Sequence, residues 1–351
     1  MDQIPGYSLH ADGVDILDDQ ARSYVKFIAD TTPLIPDGPD PLAVTVLGHG
    51  FNNRLYYVST GICELVLKVY PLAGNDRMLR EYSALSLLES VDSVPRPVWA
   101  ESNARFLSRP ALLCERVAGI TLSEVPISAR DCDHLARHLE TVRKFRPPVD
   151  GPLAESVGPL SPSMCLDYID RTTNALGYTM ETRGAAFRDR LDELKEHRRC
   201  LELLELGREA SSEPVRGFCQ GDCRPDNMIR DEESGALKFV DWEHAGMMDP
   251  AYEAASFLSR PETLQLPGSQ RDLFIEEYVS LSKDPSLRVR IYTYLTILPV
   301  QWTARILGLI SDEDATRTQP WVTPRTEEQL FDDLEVYQEV ARQVLSGELL
   351  D

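Results

Sequence analysis

Apolar positions change spacing several times along the chain, and each change marks an expected element. Ile16, Tyr24, Val25 and Ile28 suit one face of a helix. Pro33, Pro36, Pro39 and Pro41 then stop any regular structure. From Ala43 the spacing predicts strands over Ala43–Leu47, Leu55–Ser59 and Leu65–Tyr70, with a glycine-bearing stretch before the second and a turn at Gly61 before the third. A helix over Asp76–Glu89 follows, with Leu79, Tyr82, Leu85 and Leu88 expected inward. Pro95–Trp99 and Phe106–Leu107 read as loop and strand. Helical spacing then dominates: Leu135–Phe145, a long helix marked by Phe187, Leu191, Leu194, Leu201 and Leu204, then Pro250–Leu258 capped by Asp249. Leu273–Leu281, Val289–Leu309 with a kink expected at Pro299, and Glu327–Leu345 complete the helical part. One β feature interrupts it. Met228-Ile229, a turn over Asp231–Gly235, and Leu237–Val240 read as a small hairpin.

The hairpin brings candidate chemistry with it. Asp222 precedes it, Asn227 lies five residues later, and Asp241 follows the returning strand, so both later residues sit at one end of the hairpin near Asp222. Phosphoryl transfer from ATP needs such a set: one carboxylate facing the attacking hydroxyl, with an Asn and an Asp holding magnesium against the phosphates. An acidic β-turn without chemistry is the plain alternative. A second signal is Lys68 within Val66-Leu67-Lys68-Val69-Tyr70, since a lysine among such residues calls for an anionic partner. Glu81 on the next helix is the natural one, and Glu89 lies on the same helix.

These residues carry a resemblance to the aminoglycoside phosphotransferase and choline kinase families, which share the protein-kinase architecture. The segments that carry it are Gln220-Gly221-Asp222, Asn227, Asp241-Trp242-Glu243 and Asp249-Pro250-Ala251-Tyr252-Glu253. Leu47 to Tyr56 resembles the families' nucleotide loop, and Ala111–Gly119 their strand into hinge. Glycine turn, lysine, helix glutamate, hinge, catalytic loop and metal aspartate occur in family order over roughly residues 43–257.

The resemblance implies a two-lobed α+β fold, with a small antiparallel sheet and one helix in the N-terminal lobe and a larger, mainly helical C-terminal lobe. Residues 1–40 would form an extension, 41–116 the nucleotide-binding lobe and 117–351 the catalytic and substrate-binding lobe. It implies an ATP- and Mg2+-dependent phosphotransferase acting on the hydroxyl of a small, cationic, aminoglycoside-like molecule. By the same resemblance Asp222 orients the hydroxyl and takes its proton, and Asn227 and Asp241 bind magnesium. Lys68, aligned by Glu81, would hold the α and β phosphates. Gly48, Gly50, Phe51, Asn52 and Asn53 would cover the nucleotide, and backbone groups around Glu115 and Val117 would meet adenine. A choline- or ethanolamine-type kinase and a catalytically weak nucleotide-binding regulator remain as alternatives. Two positions depart from the pattern. Gln220 replaces the usual His, a position implied to brace the loop by hydrogen bonds, and Glu253 replaces an Asp one methylene shorter. Gln keeps both a donor and an acceptor for such bracing.

Composition narrows the partners. The chain has 351 residues, enough for two modest lobes, and carries 57 acidic against 36 basic side chains, a net charge of −21. Such a balance argues against a nucleic-acid partner, and most of the excess lies after residue 116. That favours a cationic acceptor, or simply solubility. Exposed acids on the last helix (Glu327, Glu328, Asp332, Asp333, Glu335) and the indoles of Trp242, Trp302 and Trp321 are candidate acceptor contacts, with solvated surface and core packing as the ordinary readings. No apolar run approaches a bilayer span, no secretory leader opens the sequence, and cytosol is the expected compartment. Seven cysteines (63, 114, 132, 165, 200, 219 and 223) suit reduced thiols better than a disulfide framework. No second pair joins Cys219 and Cys223 to complete a zinc set. His134 and His138 are expected as partly exposed helix residues. Little sequence separates Asp241-Trp242-Glu243 from Pro250 to dock a peptide, which weakens a protein-kinase reading.

Overall fold

The computed structural model describes residues 11–49, 53–155, 158–179, 184–204, 216–264, 266–311 and 326–347. Among these the chain divides into two compact units. The first comprises residues 11–89 and 95–116, and the second residues 90–94 and 117 onward.

The first unit is built on a five-stranded antiparallel sheet. In chain order its elements are α1 (Ala11–Thr31), β1 (Ala43–His49), β2 (Arg54–Ser59), β3 (Glu64–Val69), α2 (Asn75–Leu87), β4 (Pro97–Glu101) and β5 (Ala111–Glu115). The strand order is β1-β2-β3-β5-β4. The proline-rich stretch after α1 holds no helix or strand, because those residues have a fixed φ and no amide to donate. Helix α1 packs into the sheet's core: Leu17, Ala21, Tyr24, Val25 and Ile28 join Tyr56, Val58, Leu65 and Leu67 in one buried cluster, while Ile16 faces solvent. A buried, bidentate ion pair from Arg54 to Asp18, both contacts 3.0 Å, ties β2 to α1, and the Tyr56 hydroxyl donates to the same carboxylate at 2.8 Å.

Two expectations for this unit are corrected. The inward face of α2 is Met78, Glu81, Ala84 and Leu85, with Leu88 beyond it, whereas Tyr82 is exposed and Leu79 only half-buried. Phe106 and Leu107 form no strand. Phe106 has φ of 72° in a turn closed by the Leu107 amide on the Ala104 carbonyl, and β4 lies earlier.

The second unit is mainly helical. It contains β6 (Ile120–Thr121), α3 (Ala129–Val142), α4 (Pro162–Thr179), α5 (Ala185–Leu203), β7 (Gly217–Cys219), β8 (Met228–Arg230), β9 (Leu237–Phe239), β10 (Gly246–Met248), α6 (Pro250–Leu258), α7 (Pro261–Leu264), α8 (Gly268–Ser282), α9 (Leu287–Ser311) and α10 (Glu327–Ser346). Helix α9, apolar on most of its circumference, is the hub against which α4, α6 and α10 pack. Caps fix several starts. Ser128 and Asp131 form a reciprocal capping box on α3, and Thr326 with Gln329 does so on α10. Asp249 accepts from the Ala251 amide at 2.9 Å, as its cap assignment predicts, and its carboxylate is buried against Arg290 at 3.0 Å.

His138 is buried rather than partly exposed. Its ring stacks on Phe239 at 3.6 Å and its Nδ1 meets the Ser93 hydroxyl at 2.8 Å. Burial pushes its pKa down to about 3. All seven cysteines are free thiols. No described helix is long and apolar enough to cross a membrane.

Candidate active site

In the first unit the decisive residue is Lys68. Strand β3 runs between β2 and β5, pairing Lys68 with Leu55 on one side and Leu112 on the other. Its side chain is 9% exposed and that of Glu81 3%, and Nζ lies 2.6 Å from Glu81 Oε2 and 2.8 Å from Oε1. The Tyr70 hydroxyl donates to the same carboxylate. Of the two glutamates open from the sequence, Glu81 makes the pair. An ion pair this deeply buried is costly to break, since removing one member strands the other at about 3–5 kcal/mol. It fixes the lysine's position.

Glycine-bearing stretch and hinge flank this pair in sequence. The β1–β2 register shifts between Val46 and Gly48, and Gly48 then pairs with Leu55. Asn53 is buried. Gly50, Phe51 and Asn52 lie outside the described residues. Glu115 ends β5, where its amide donates to the Arg96 carbonyl at 2.9 Å and its carboxylate pairs with the Arg96 guanidinium at 3.0 Å. Val117 begins the second unit.

The second unit holds the hairpin. Strands β8 and β9 pair Met228 with Phe239 and Arg230 with Leu237, and β6 adds a third strand through Ile120 and Arg230. The Val240 amide donates to the Asn227 carbonyl at 2.9 Å, so the open end of the hairpin is pinned. Asn227 Nδ2 donates to the Asp222 carbonyl at 2.9 Å and to its Oδ2 at 3.3 Å. That commits the amide nitrogen and leaves Oδ1 as the atom for a cation. Magnesium prefers oxygen ligands in octahedral array, so Asn227 and Asp241 fit it by donor type. Asp241 has φ of 65°, a left-handed backbone that Asp tolerates better than most residues. The neighbouring Trp242 is fully buried, its indole donating to the Phe239 carbonyl at 2.9 Å, which holds the segment after β9 in place.

Both departures from the family pattern have structural work. Gln220 Nε2 donates to the Val240 carbonyl at 2.6 Å and more weakly to that of Asp241 at 3.4 Å, bridging the loop before Asp222 to Asp241. Glu253 is buried and its Oε1 accepts from the amides of Gln220 at 2.7 Å and Gly221 at 3.1 Å. Burial pushes Glu253 up to about 7 against the pull of those amides and Cys219. Gly221 has φ of 85°, and a Cβ there would sit 2.2 Å from the His244 carbonyl oxygen, so only glycine fits.

One contact to Asp222 has no counterpart in the sequence reading. Arg260, two residues beyond α6, places Nη2 2.9 Å from Asp222 Oδ1. Its guanidinium lies 4.5 Å from the centre of the Trp302 ring, and that of Arg305 lies 5.0 Å from the same ring. Trp302 also stacks on Tyr337, with ring centres 5.8 Å apart. No local spacing links Arg260 to an aspartate 38 positions earlier.

With this geometry in hand, comparison with known proteins decides the family. The model of the phosphotransferase enzyme family matches residues 43–288. The chain belongs to that family. The match covers the strands around Lys68 and the whole hairpin, so these parts of the phosphotransferase correspond in order to the family's own. No curated protein matches the chain by sequence. Solved structures do resemble it. A GDP complex of aminoglycoside 2'-phosphotransferase-IIIa is 18% identical with a TM-score of 0.61, over 91% of this chain and 98% of that one. The choline kinase LicA from Streptococcus pneumoniae is 16% identical with a TM-score of 0.57, over 94% and 99%. A choline/ethanolamine kinase family protein from Mesorhizobium loti is 15% identical with a TM-score of 0.58, over 95% and 100%. At these identities the likeness establishes the fold, the two-lobed kinase-like α+β architecture.

Proposed function

We propose that this phosphotransferase moves the γ-phosphoryl group of ATP, with magnesium, to a hydroxyl of a small molecule. The observation that carries the reading is the arrangement around Asp222, where Asn227 donates to Asp222 and Gln220 links the loop to the carbonyls of Val240 and Asp241. Asp222 would receive the hydroxyl's hydrogen bond and orient its oxygen toward the phosphorus. Asn227 Oδ1 and the Asp241 carboxylate would hold the metal. Magnesium, when bound, would neutralise the phosphate charge that builds during transfer. Lys68, fixed by Glu81, would take the α and β phosphates. Gly48, Gly50, Phe51, Asn52 and Asn53 would cover them, and the backbone at Glu115 and Val117 would meet adenine. In this reading residues 41–116 serve the nucleotide and 117–351 the acceptor and the chemistry. Most of the rate would come from placement and fixed charge rather than covalent participation.

Relatives of the same fold support a small acceptor, since one solved structure is a complex with kanamycin and another protein is a choline kinase. A catalytically weak regulator would draw its support from the departures at Gln220 and Glu253, and both residues instead make bonds that brace the loop. The test is a magnesium titration of ATP binding. Wild type should bind ATP in a magnesium-dependent way, and Asp241→Ala should lose that dependence. Unchanged magnesium dependence in the variant would contradict the metal assignment.

A further inference from the structure

The acidic composition favours a cationic acceptor, yet the group bonded to Asp222 Oδ1 is itself a cation. Arg260 occupies Asp222 Oδ1 at 2.9 Å, with side chains only 12% and 26% exposed. Arg305, which is exposed, shares the Trp302 ring with it and pairs with no carboxylate among the described residues. The Arg260 Nε and Trp302 Nε1 donors, both buried, likewise make no hydrogen bond among the described residues. Stacking on an indole holds each guanidinium with roughly 0.5–2 kcal/mol, and the N–H fork of Arg305 is exposed. The Asp222 oxygen bonded to Arg260 is the kind of atom that must face the acceptor hydroxyl. An acceptor that gives Arg260 another anion would release that oxygen, and one that brings an ammonium would meet two guanidinium groups.

Resting on the phosphotransferase reading, we propose that Arg260 and Arg305, set on Trp302, form an acceptor subsite for a negatively charged group, so that the substrate is a hydroxy acid or similar anionic alcohol. Arg260 exchanges Asp222 for the acceptor's anion as the hydroxyl arrives, and Arg305 adds the second contact. A bidentate guanidinium fork suits a carboxylate or a phosphate monoester equally. The acidic surface elsewhere slows the approach of such a molecule without changing what the subsite prefers.

The experiment compares matched probes: glucuronate, glucose and glucosamine, then glycerate and ethanolamine. Calorimetric binding to the full chain is measured with a magnesium-bound non-hydrolysable ATP analogue present, which occupies the phosphate contacts. Transfer from labelled ATP is measured alongside. The acidic member of each set should bind at least tenfold more tightly than the amine. Arg305→Ala should raise the Kd and KM of the acid about tenfold, with kcat within threefold and glucose unaffected. Arg305→Glu should reverse the order of acid and amine. Tighter binding of the amines, no binding of either acid, or an Arg305→Ala variant that binds the acids as wild type does, each overturns the proposal. Acid binding that depends on Arg305 without transfer to any acceptor would leave the subsite standing and sink the phosphotransferase reading.

Discussion

Glu253 and His138 are both buried, and burial moves each toward its neutral form. Glu253 goes from 4.5 up to about 7, and His138 from 6.5 down to about 3. The signs of their linkage to folding differ in window. A carboxyl raised in the folded state contributes stability that is complete below pH 4.5 and is lost as pH climbs through about 7. An imidazole depressed in the folded state contributes stability present above pH 6.5 and lost as pH falls toward 3. At about 1.4 kcal/mol per pH unit, these effects are on the order of 3 to 5 kcal/mol. Urea unfolding at a series of pH values should therefore show that Glu253→Gln, which keeps an acceptor for the Gln220 and Gly221 amides, removes a decline between about pH 4.5 and 7. His138→Gln should remove a decline below pH 6.5 instead. Parallel wild-type and variant curves would show that these groups titrate as they do in the unfolded chain.

Loop and strand geometry around β7 to β9 makes a sharper demand. Gly221→Ala places a methyl group 2.2 Å from the His244 carbonyl in a left-handed backbone, and should cost at least about 2 kcal/mol in denaturant unfolding. Loss of the capping hydroxyl in Ser128→Ala, at the start of α3, should cost only about 1 kcal/mol and leave turnover intact. Equal effects of the two changes would mean that Gly221 is not held as described. The hairpin, the cap at Asp249 and helices α6, α8, α9 and α10 were legible because their signals are local: alternation, a turn, a cap and a continuous apolar stripe. Helix α4 was not, because its buried face rests on Cys165, Ile169 and Leu176, too sparse to register as a stripe. The buried face of α2 departs from its apolar spacing for a related reason. Glu81 takes a buried position that apolar spacing assigns to leucine, and only its partner Lys68 explains that. Arg260 was invisible, since its meeting with Asp222 and Trp302 comes from tertiary packing alone, whereas Arg305 reaches Trp302 through i,i+3 spacing on α9.

A chain with net charge −21 repels its own compact state and gains from binding a cation. A ligand that binds only the folded protein adds about 2.7 kcal/mol at a hundredfold excess over its Kd. Magnesium with ATP should thus raise the melting temperature by several degrees, and EDTA should abolish most of the shift if Asn227 and Asp241 hold the metal. Glu81→Ala should lower the melting temperature even without nucleotide, because it leaves Lys68 buried without its carboxylate partner. The most direct measurement is phosphate transfer from labelled ATP by wild type and Asp222→Ala, with nucleotide affinity determined on the same samples. The variant should bind magnesium-ATP within about threefold of wild type and lose at least about a thousandfold in kcat, a barrier increase near 4 kcal/mol. An Asp222→Ala protein that still transfers phosphate at a comparable rate would contradict the assignment of Asp222 to the acceptor hydroxyl.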